Sequence, residues 1–274
     1  MERSVDACIA SGRAAIRWQP IPALRLGIGR DRVPLSAQSA TPTSARLFPD
    51  RIELDRTFVL PADVGVQLAV TTPWFTILGG VWNGVAGDAM LGAVTDERGA
   101  LVSGRVELTP LGSFAFDESA RPASPRLGVG AAATYRASTA YDAGGTAGSR
   151  ARDLRAALSV RFAWRGLHLQ SEVMRRQITD DLSARPDVAT GAYGQAAYRV
   201  AVSRIDVAPL VRIGRQWIRQ LSAPARGTSV EAGLSAFPFA RGSDQLQLSL
   251  LYGREEDPDL GRSDRAIGVV RLGF

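Results

Sequence analysis

The chain closes on Arg265-Ala266-Ile267-Gly268-Val269-Val270-Arg271-Leu272-Gly273-Phe274. Taken every second residue back from the end, this stretch puts Phe274, Leu272, Val270, Gly268 and Ala266 on one face and Arg271 on the other. Successive side chains of an extended strand point to opposite faces, so the segment meets an apolar environment on one side and a polar one on the other. How often that pattern recurs, and how the copies are joined, decides the fold.

The period of two recurs along the whole chain. Ala14, Ile16 and Trp18 alternate with Ala15, Arg17 and Gln19, and after Pro20-Ile21-Pro22 a second run sets Leu24, Leu26 and Ile28 against Arg25, Gly27 and Gly29. Val64, Val66, Leu68 and Val70 follow, then 75–83, and then Val102, Gly104, Val106 and Leu108 opposite Ser103, Arg105 and Glu107. Further copies lie at 126–135, 154–164, 167–174, 191–200, 207–213, 229–236 and 245–252. Pro209 interrupts one of them and predicts a bulge, because proline cannot donate to a ladder. This makes about thirteen strands of the length that a tilted membrane-spanning strand needs.

The connections alternate as well. Short ones (19–22, 71–73, 164–166, 201–204, 239–243) interleave with long polar ones (30–62, 84–99, 138–152, 179–190, 220–227, 254–264). Bacterial membrane barrels have short turns at one end and long loops at the other, so this parity predicts an all-β, antiparallel, up-and-down transmembrane barrel. The barrel is expected to hold 14 to 16 strands (roughly, by the even-number rule) and to occupy 1–274 as a single domain with an irregular 1–13. One connection, 109–125, is too long for its short-turn position. A soluble two-sheet sandwich is the competing architecture.

Composition is consistent with this reading. Mean hydropathy is −0.02, as expected where apolar and polar faces average out, and no apolar run is long enough for a membrane-spanning helix. All 33 basic residues are arginine and the formal charge is +6. A GC-rich genome explains much of the arginine excess; the rest acquires meaning only where guanidinium groups share a surface. One cysteine, Cys8, and one histidine, His168, leave neither a disulfide framework nor a His/Cys metal cluster, so no cofactor and no metal is expected. The first thirteen residues lack the apolar core of a signal peptide. Parity also calls for an upward strand before residue 14, so an N-terminally incomplete reading is expected, with the missing piece containing the partner of the closing strand.

Several stretches resemble the phosphate-selective porin family, porins O and P. They are WQPIPALRLGIGRDRVPLS (18–36), LFPDRIELDRTFVLPADVGVQLAV (47–70) with FTILGGVWNG (75–84), GRVELTPLG (104–112) and LHLQSEVMRR (167–176). Leu35 stands where the family has an aromatic residue. The resemblance implies an outer-membrane location, a homotrimer and passive diffusion of anions, with an arginine ladder and entrance lysines serving phosphate. This chain has no lysine, which removes the second element. The ending Val270, Leu272 and Phe274 is similar to the insertion signal read by the barrel-assembly machinery.

Six arginines, Arg105, Arg155, Arg161, Arg199, Arg212 and Arg271, fall opposite apolar positions within strands and are expected to line the lumen. A column of fixed positive charge in a narrow pore concentrates anions. The competing assignment is a set of wall ion pairs with Glu107, Glu172 and Glu231. The longest loop, 30–62, carries Arg46, Arg51 and Arg56 and is the candidate constriction. Other chemistries find less support. His168 shares a face with Gln170 and Glu172, but no motif supplies the nucleophile that an outer-membrane hydrolase needs. The Gly-x-Gly pairs at 27–29 and 128–130 lie within strands rather than at a strand-to-helix turn. Arginines alternating with apolar residues form no nucleic-acid surface. The sequence thus predicts an outer-membrane, non-enzymatic porin that contacts lipid and small anionic solutes, with a non-conducting structural or vestigial barrel as the second reading.

Overall fold

A computed structural model describes residues 4–10, 13–42, 45–52, 54–84, 99–118, 120–141, 147–181, 186–203, 205–219, 224–238, 246–257 and 261–272. The strands are β1 (Ser4–Ala10), β2 (Arg13–Ile21), β3 (Leu24–Asp31), β4 (Asp63–Thr71), β5 (Phe75–Trp82), β6 (Leu101–Leu108), β7 (Arg126–Tyr141) and β8 (Ala147–Trp164). They continue as β9 (Leu167–Asp180), β10 (Asp187–Tyr198), β11 (Val200–Val202), β12 (Ile205–Arg219), β13 (Pro224–Phe237), β14 (Leu246–Asp257) and β15 (Gly261–Leu272). Two helical turns, α1 (Ala37–Ala40) and α2 (Leu54–Phe58), lie between β3 and β4.

Each strand pairs antiparallel with its sequence neighbour in one continuous sheet running from β1 to β15. β10 and β11 are one span in two pieces. Ala197 faces Leu210 and Val200 faces Val207, so the register is the same on both sides of the break. Pro209 sits at that break, while its other neighbour β13 stays in unbroken register through Pro209–Leu234. The expected bulge is therefore absent: the missing N–H opens a gap in one ladder without adding a residue.

Fourteen spans result, one more than the period-two pattern predicts. The additional span is β1, paired with β2 from Ser4–Gln19 to Ala10–Arg13, where an irregular segment was expected. Four connections expected to be long are taken up largely by hairpins reaching beyond the apolar zone: β7 and β8 extend to Tyr141 and from Ala147, β9 and β10 to Asp180 and from Asp187. β13 likewise begins at Pro224, and β14 and β15 extend to Asp257 and from Gly261.

The outer face carries the apolar half of every alternation. Val64, Val66 and Leu68 on β4, Leu154, Leu158 and Val160 on β8, Val211 and Ile213 on β12, and Leu248 and Leu250 on β14 are all exposed. A continuous apolar surface of this kind is unstable against water and stable against lipid. Trp18, Trp74, Trp164 and Tyr198 lie at the short-turn end and Tyr135, Trp217 and Tyr252 further along, all exposed. These are interfacial positions for rings with an apolar body and a polar edge.

A chain crossing lipid keeps its buried core inside the barrel, and here two inserted segments form it. The β3–β4 connection contributes Val33, Leu35, Leu47, Phe48, Ile52, Leu54, Phe58 and Leu60, all buried. Leu35, Ile52, Leu54 and Phe58 pack on Ala132, Ala157, Met174, Ala189 and Tyr193, and Leu47 and Phe48 pack on Ala197, Ala208, Leu210, Phe237 and Leu251. The wall makes room with small residues. A Cβ on Gly191 would come within 2.6 Å of Leu54 and Phe58, and one on Gly214 within 2.6 Å of Leu54 and 2.7 Å of Ile52.

A candidate channel site inside the barrel

Burying a guanidinium group requires acceptors in place of water. The six arginines expected to line the lumen do point inward, and each has part of its donor set engaged by the inserted backbone or by wall carboxylates, while the buried Nε of Arg105, Arg161 and Arg212 has no partner among the described residues. Arg105 donates to the Leu35 carbonyl at 2.9 Å, to Ser159 Oγ at 2.7 Å and to Glu107 at 3.1 Å. Arg155 grips Asp153 through Nε and Nη2 and reaches the Phe58 carbonyl at 2.8 Å. Arg212 donates to the Asp50 carbonyl at 3.0 Å and to Glu231, with its guanidinium over the Phe48 ring. Arg271 donates to the carbonyls of Arg46 at 3.0 Å and Pro49 at 2.6 Å. Arg199 pairs with Asp206 at 3.0 Å and lies over Phe237.

Arg105 and Arg161 are 2% exposed and Arg212 1%, while Arg271 is half-buried. The contacts match the competing assignment, a wall network, extended to the backbone of the inserted segments. The physical reason is that a loop carbonyl is a fixed acceptor requiring no counter-charge, and four of the six arginines hold the β3–β4 loop this way.

Arg161 holds a second segment. The connection 109–125, too long for its position, folds inward from the opposite end. Its Phe114 and Ala115 carbonyls accept from Arg161 at 3.2 and 2.9 Å, Arg161 also pairs with Glu107, and Phe114 and Phe116 stack on the guanidinium at 4.5 and 4.1 Å. Further along, Arg121 reaches Asp206 at 3.0 Å.

The two segments meet at Glu118. Its N–H donates to the Ala45 carbonyl at 2.8 Å, and its carboxylate accepts from Leu47 N–H at 3.0 Å and from Gln195 Nε2 at 3.0 Å. Burial pushes the Glu118 carboxyl up, opposed by those two hydrogen bonds and by the charges of Arg46 and Arg212. A companion acceptor, Glu172 on β9, receives Ala37 N–H and Ser36 Oγ at 2.9 Å and Tyr193 Oη at 3.0 Å, which seats the start of α1 on the wall.

Of the candidate constriction residues, Arg46 is buried, with its carbonyl held by Arg271. Arg51 is partly exposed, and its N–H donates to Asp50. Arg56 lies in α2, with its side chain outside the described residues. Val270 faces outward at 69% exposure and the Leu272 backbone pairs with Leu246, whereas Phe274 lies outside the described residues. His168 is buried between Ala163 and Ala197 in the ladders. Among the described residues no group of three His, Cys, Asp or Glu side chains is placed to hold a metal ion.

One sector of the interior is left uncovered. The inner faces of β6–β10 and β12–β14 are buried through most of each span, becoming half-exposed toward the long-loop end at Arg176, Ile178, Gln216 and Ile218. On β2–β5 the inward Arg17, Gln19, Arg25, Gln67, Leu78 and Gly80 keep solvent exposure around the buried Gly27 and Ala69. Arg17, across from Gly27, pairs with Asp31 at 2.6 Å, and Gln67 donates to the same carboxylate at 2.8 Å. Arg25, across from Ala69, is exposed. Sequence reasoning placed both arginines on the inner side of the first hairpin without selecting them. The signal available was the run of small inward residues around them, Gly27, Gly65, Ala69 and Gly80, which leaves space beside a long side chain. Glu118 was likewise missed, although the excess length of 109–125 marked its segment.

Neither a protein-family model nor a curated protein sequence matches the chain. Solved structures do. OmpT of Vibrio cholerae superposes with a TM-score of 0.57 at 10% identity, covering 97% of this chain and 80% of that one. An anion-selective porin from Comamonas acidovorans gives a TM-score of 0.57 at 12% identity, covering 96% of this chain and 74% of that one. The trimer form of Vibrio cholerae OmpT gives 0.57 at 10% identity, covering 94% and 77%. At these identities the likeness concerns architecture, and it agrees with the antiparallel meander and its apolar exterior: this chain has the fold of an outer-membrane β-barrel.

Proposed function

We propose that the chain is an outer-membrane diffusion channel favouring small anions, with a water path along the inner face of β2–β5 past Arg17 and Arg25. The carrying observation is a difference of degree in the interior: mostly packed against the two inserted segments from β6 to β14, and on β2–β5 more open around Arg17 and the exposed Arg25. Fixed guanidinium groups beside a low-dielectric wall raise the local anion concentration and repel cations. In this proposal Arg105, Arg155, Arg161, Arg199, Arg212 and Arg271 act on permeation through the segments they hold. Arg46, Arg51 and Arg56 belong to the segment that narrows the path.

The fold neighbours include a porin described as anion-selective, which supports the reading, and a trimer form, which fits a homotrimer here. The likeness to porins O and P adds phosphate as a candidate solute. The C-terminal strand with Val270, Leu272 and Phe274 serves as the assembly signal in the same reading. A second reading, a barrel that does not conduct, is favoured by one observation: the two segments meet at Glu118 in the middle of the filled region. Planar-bilayer recordings separate the two. The channel reading expects discrete conductance steps and an anion-signed reversal potential in a salt gradient; a silent, correctly folded barrel supports the second reading.

A further inference from the structure

On the outer face, beyond the apolar belt at the long-loop end, exposed arginines gather on adjacent strands: Arg152 on β8, Arg175 on β9, Arg215 and Arg219 on β12 and Arg226 on β13. The ladders align them. Arg175 faces Thr190, Thr190 faces Trp217, and Trp217 faces Arg226, with Arg215 and Arg219 one outward position to either side of Trp217. Neighbouring strands are about 4.8 Å apart, so the five side chains fall within a patch roughly 20 Å wide. Among the described residues of β8–β13, no outward-facing position carries a carboxylate; the nearest is Glu256 on β14, across from Thr228 at the β13 edge of the patch.

The height of the patch indicates what it faces. Below it on the same strands the outward residues are apolar: Leu154 and Leu158, Leu169 and Val173, Val211 and Ile213, Val230 and Leu234. From Ile205, at the short-turn end of β12, to Arg215 is about 33 Å along the strand, or about 25 Å along the membrane normal at a tilt near 40°. That matches the hydrocarbon belt of an outer-membrane barrel, so the arginines begin where lipid headgroups begin. Arg215 lies over the Trp217 ring at 5.1 Å, which fixes the guanidinium beside an interfacial aromatic.

We infer that this patch binds the phosphate groups of lipids with net anionic headgroups at the long-loop surface of the membrane. Guanidinium forks match phosphate oxygens bidentately, and Thr190 supplies a hydroxyl within the row. The patch lies on the outer wall, away from the water path of the proposed channel, and does not depend on conduction.

The test uses the refolded full chain in nanodiscs containing equal mole fractions of phosphatidic acid and phosphatidylcholine, with co-purifying lipid counted by native mass spectrometry. The expected result is selective retention of phosphatidic acid, weakened about a hundredfold at low salt in Arg175→Gln/Arg215→Gln/Arg226→Gln. Arg262→Gln, an exposed arginine on β15 outside the patch, should leave retention unchanged. Heat-modifiable gel migration reports folding. If the triple variant does not fold, Arg175→Gln alone should lose about fivefold. Equal retention of both lipids, an equal loss in Arg262→Gln, or displacement of the lipid by inorganic phosphate at millimolar concentration would overturn the inference. So would loss of a subunit contact, rather than of lipid, in the triple variant, since that result would assign the patch to a second copy of the chain.

Discussion

Replacing Glu118 with alanine should release the two inserted segments from each other. The substitution removes the acceptor of Leu47 N–H and of Gln195 Nε2, both at 3.0 Å, and leaves two buried donors unpaired. Each costs about 1–3 kcal/mol, and part of that is offset because a buried carboxylate no longer has to be desolvated. A net shift of about 3 kcal/mol is expected, roughly 150-fold in the equilibrium between inserted and released segments. Glu118→Gln is milder. Its amide oxygen can still accept from Leu47, but Gln195 cannot turn its own amide to match without giving up the bond its Oε1 accepts from Gln38. About 1 kcal/mol, or fivefold, follows. The assay is trypsin cleavage after Arg46, which is buried while the loop is seated, so the cleavage rate follows the population of the released form. Cleavage of Glu118→Ala at the wild-type rate, with the barrel folded, would refute the assignment of Glu118 as the junction.

Acidity should act on the same junction. Burial raises the Glu118 carboxyl above its ordinary 4.5, so the inserted arrangement binds protons more readily than the released one. The stability linked to this group is fully present below the ordinary value and is lost as pH rises through the raised one; arginine-site cleavage should therefore speed up as pH rises above the ordinary carboxyl value in wild type, and respond less in Glu118→Gln, where only Glu172 still holds the same loop. Gly214→Val should unseat the loop through overpacking against Leu54 and Ile52, costing about 1–3 kcal/mol, visible as faster amide exchange at 52–58. Phe58→Ala, at a fully buried position, should cost about 3–5 kcal/mol and have the same signature without steric clash. Pro209→Ala restores a donor at the gap between β10 and β11, and the new amide at 209 should exchange up to about tenfold more slowly than an unbonded amide.

The wall of this barrel was legible because lipid on one side and a polar interior on the other impose a period of two on every span, and Leu154 to Trp164 keeps it without a break. The hairpin tips were not legible. Beyond the belt both faces meet water, the alternation loses its cause, and a run such as Arg150–Asp153 looks like loop although it is strand. The interior was half legible. Alternation places Arg105 or Arg212 inside, but the face of a strand does not reveal whether water or another part of the chain lies opposite. That depends on the path of the β3–β4 loop, fixed by long-range acceptors such as Leu35 and Asp50 and by gaps at Gly191 and Gly214 that show no local pattern. Phe114-Ala115-Phe116 did carry a signal, two aromatic residues in a connection where a tight turn was due. β1 was missed because a seven-residue strand with the polar pair Ser4 and Asp6 gives too few periods to distinguish from irregular chain.

The reversal potential of the folded barrel in a potassium chloride gradient, recorded for wild type and for Arg25→Glu, tests the channel reading most directly. Arg25 is exposed on the uncovered sector, and a unit charge near a passing ion in a water-filled path contributes about 1 kcal/mol at 4 Å. Charge reversal therefore shifts the anion and the cation by about 2 kcal/mol each in opposite directions, at most about 4 kcal/mol or roughly 800-fold in the anion-to-cation permeability ratio. The account predicts an anion-signed potential in wild type that moves toward or past zero in Arg25→Glu. A cation-signed wild type, or a variant whose potential does not move, would contradict it.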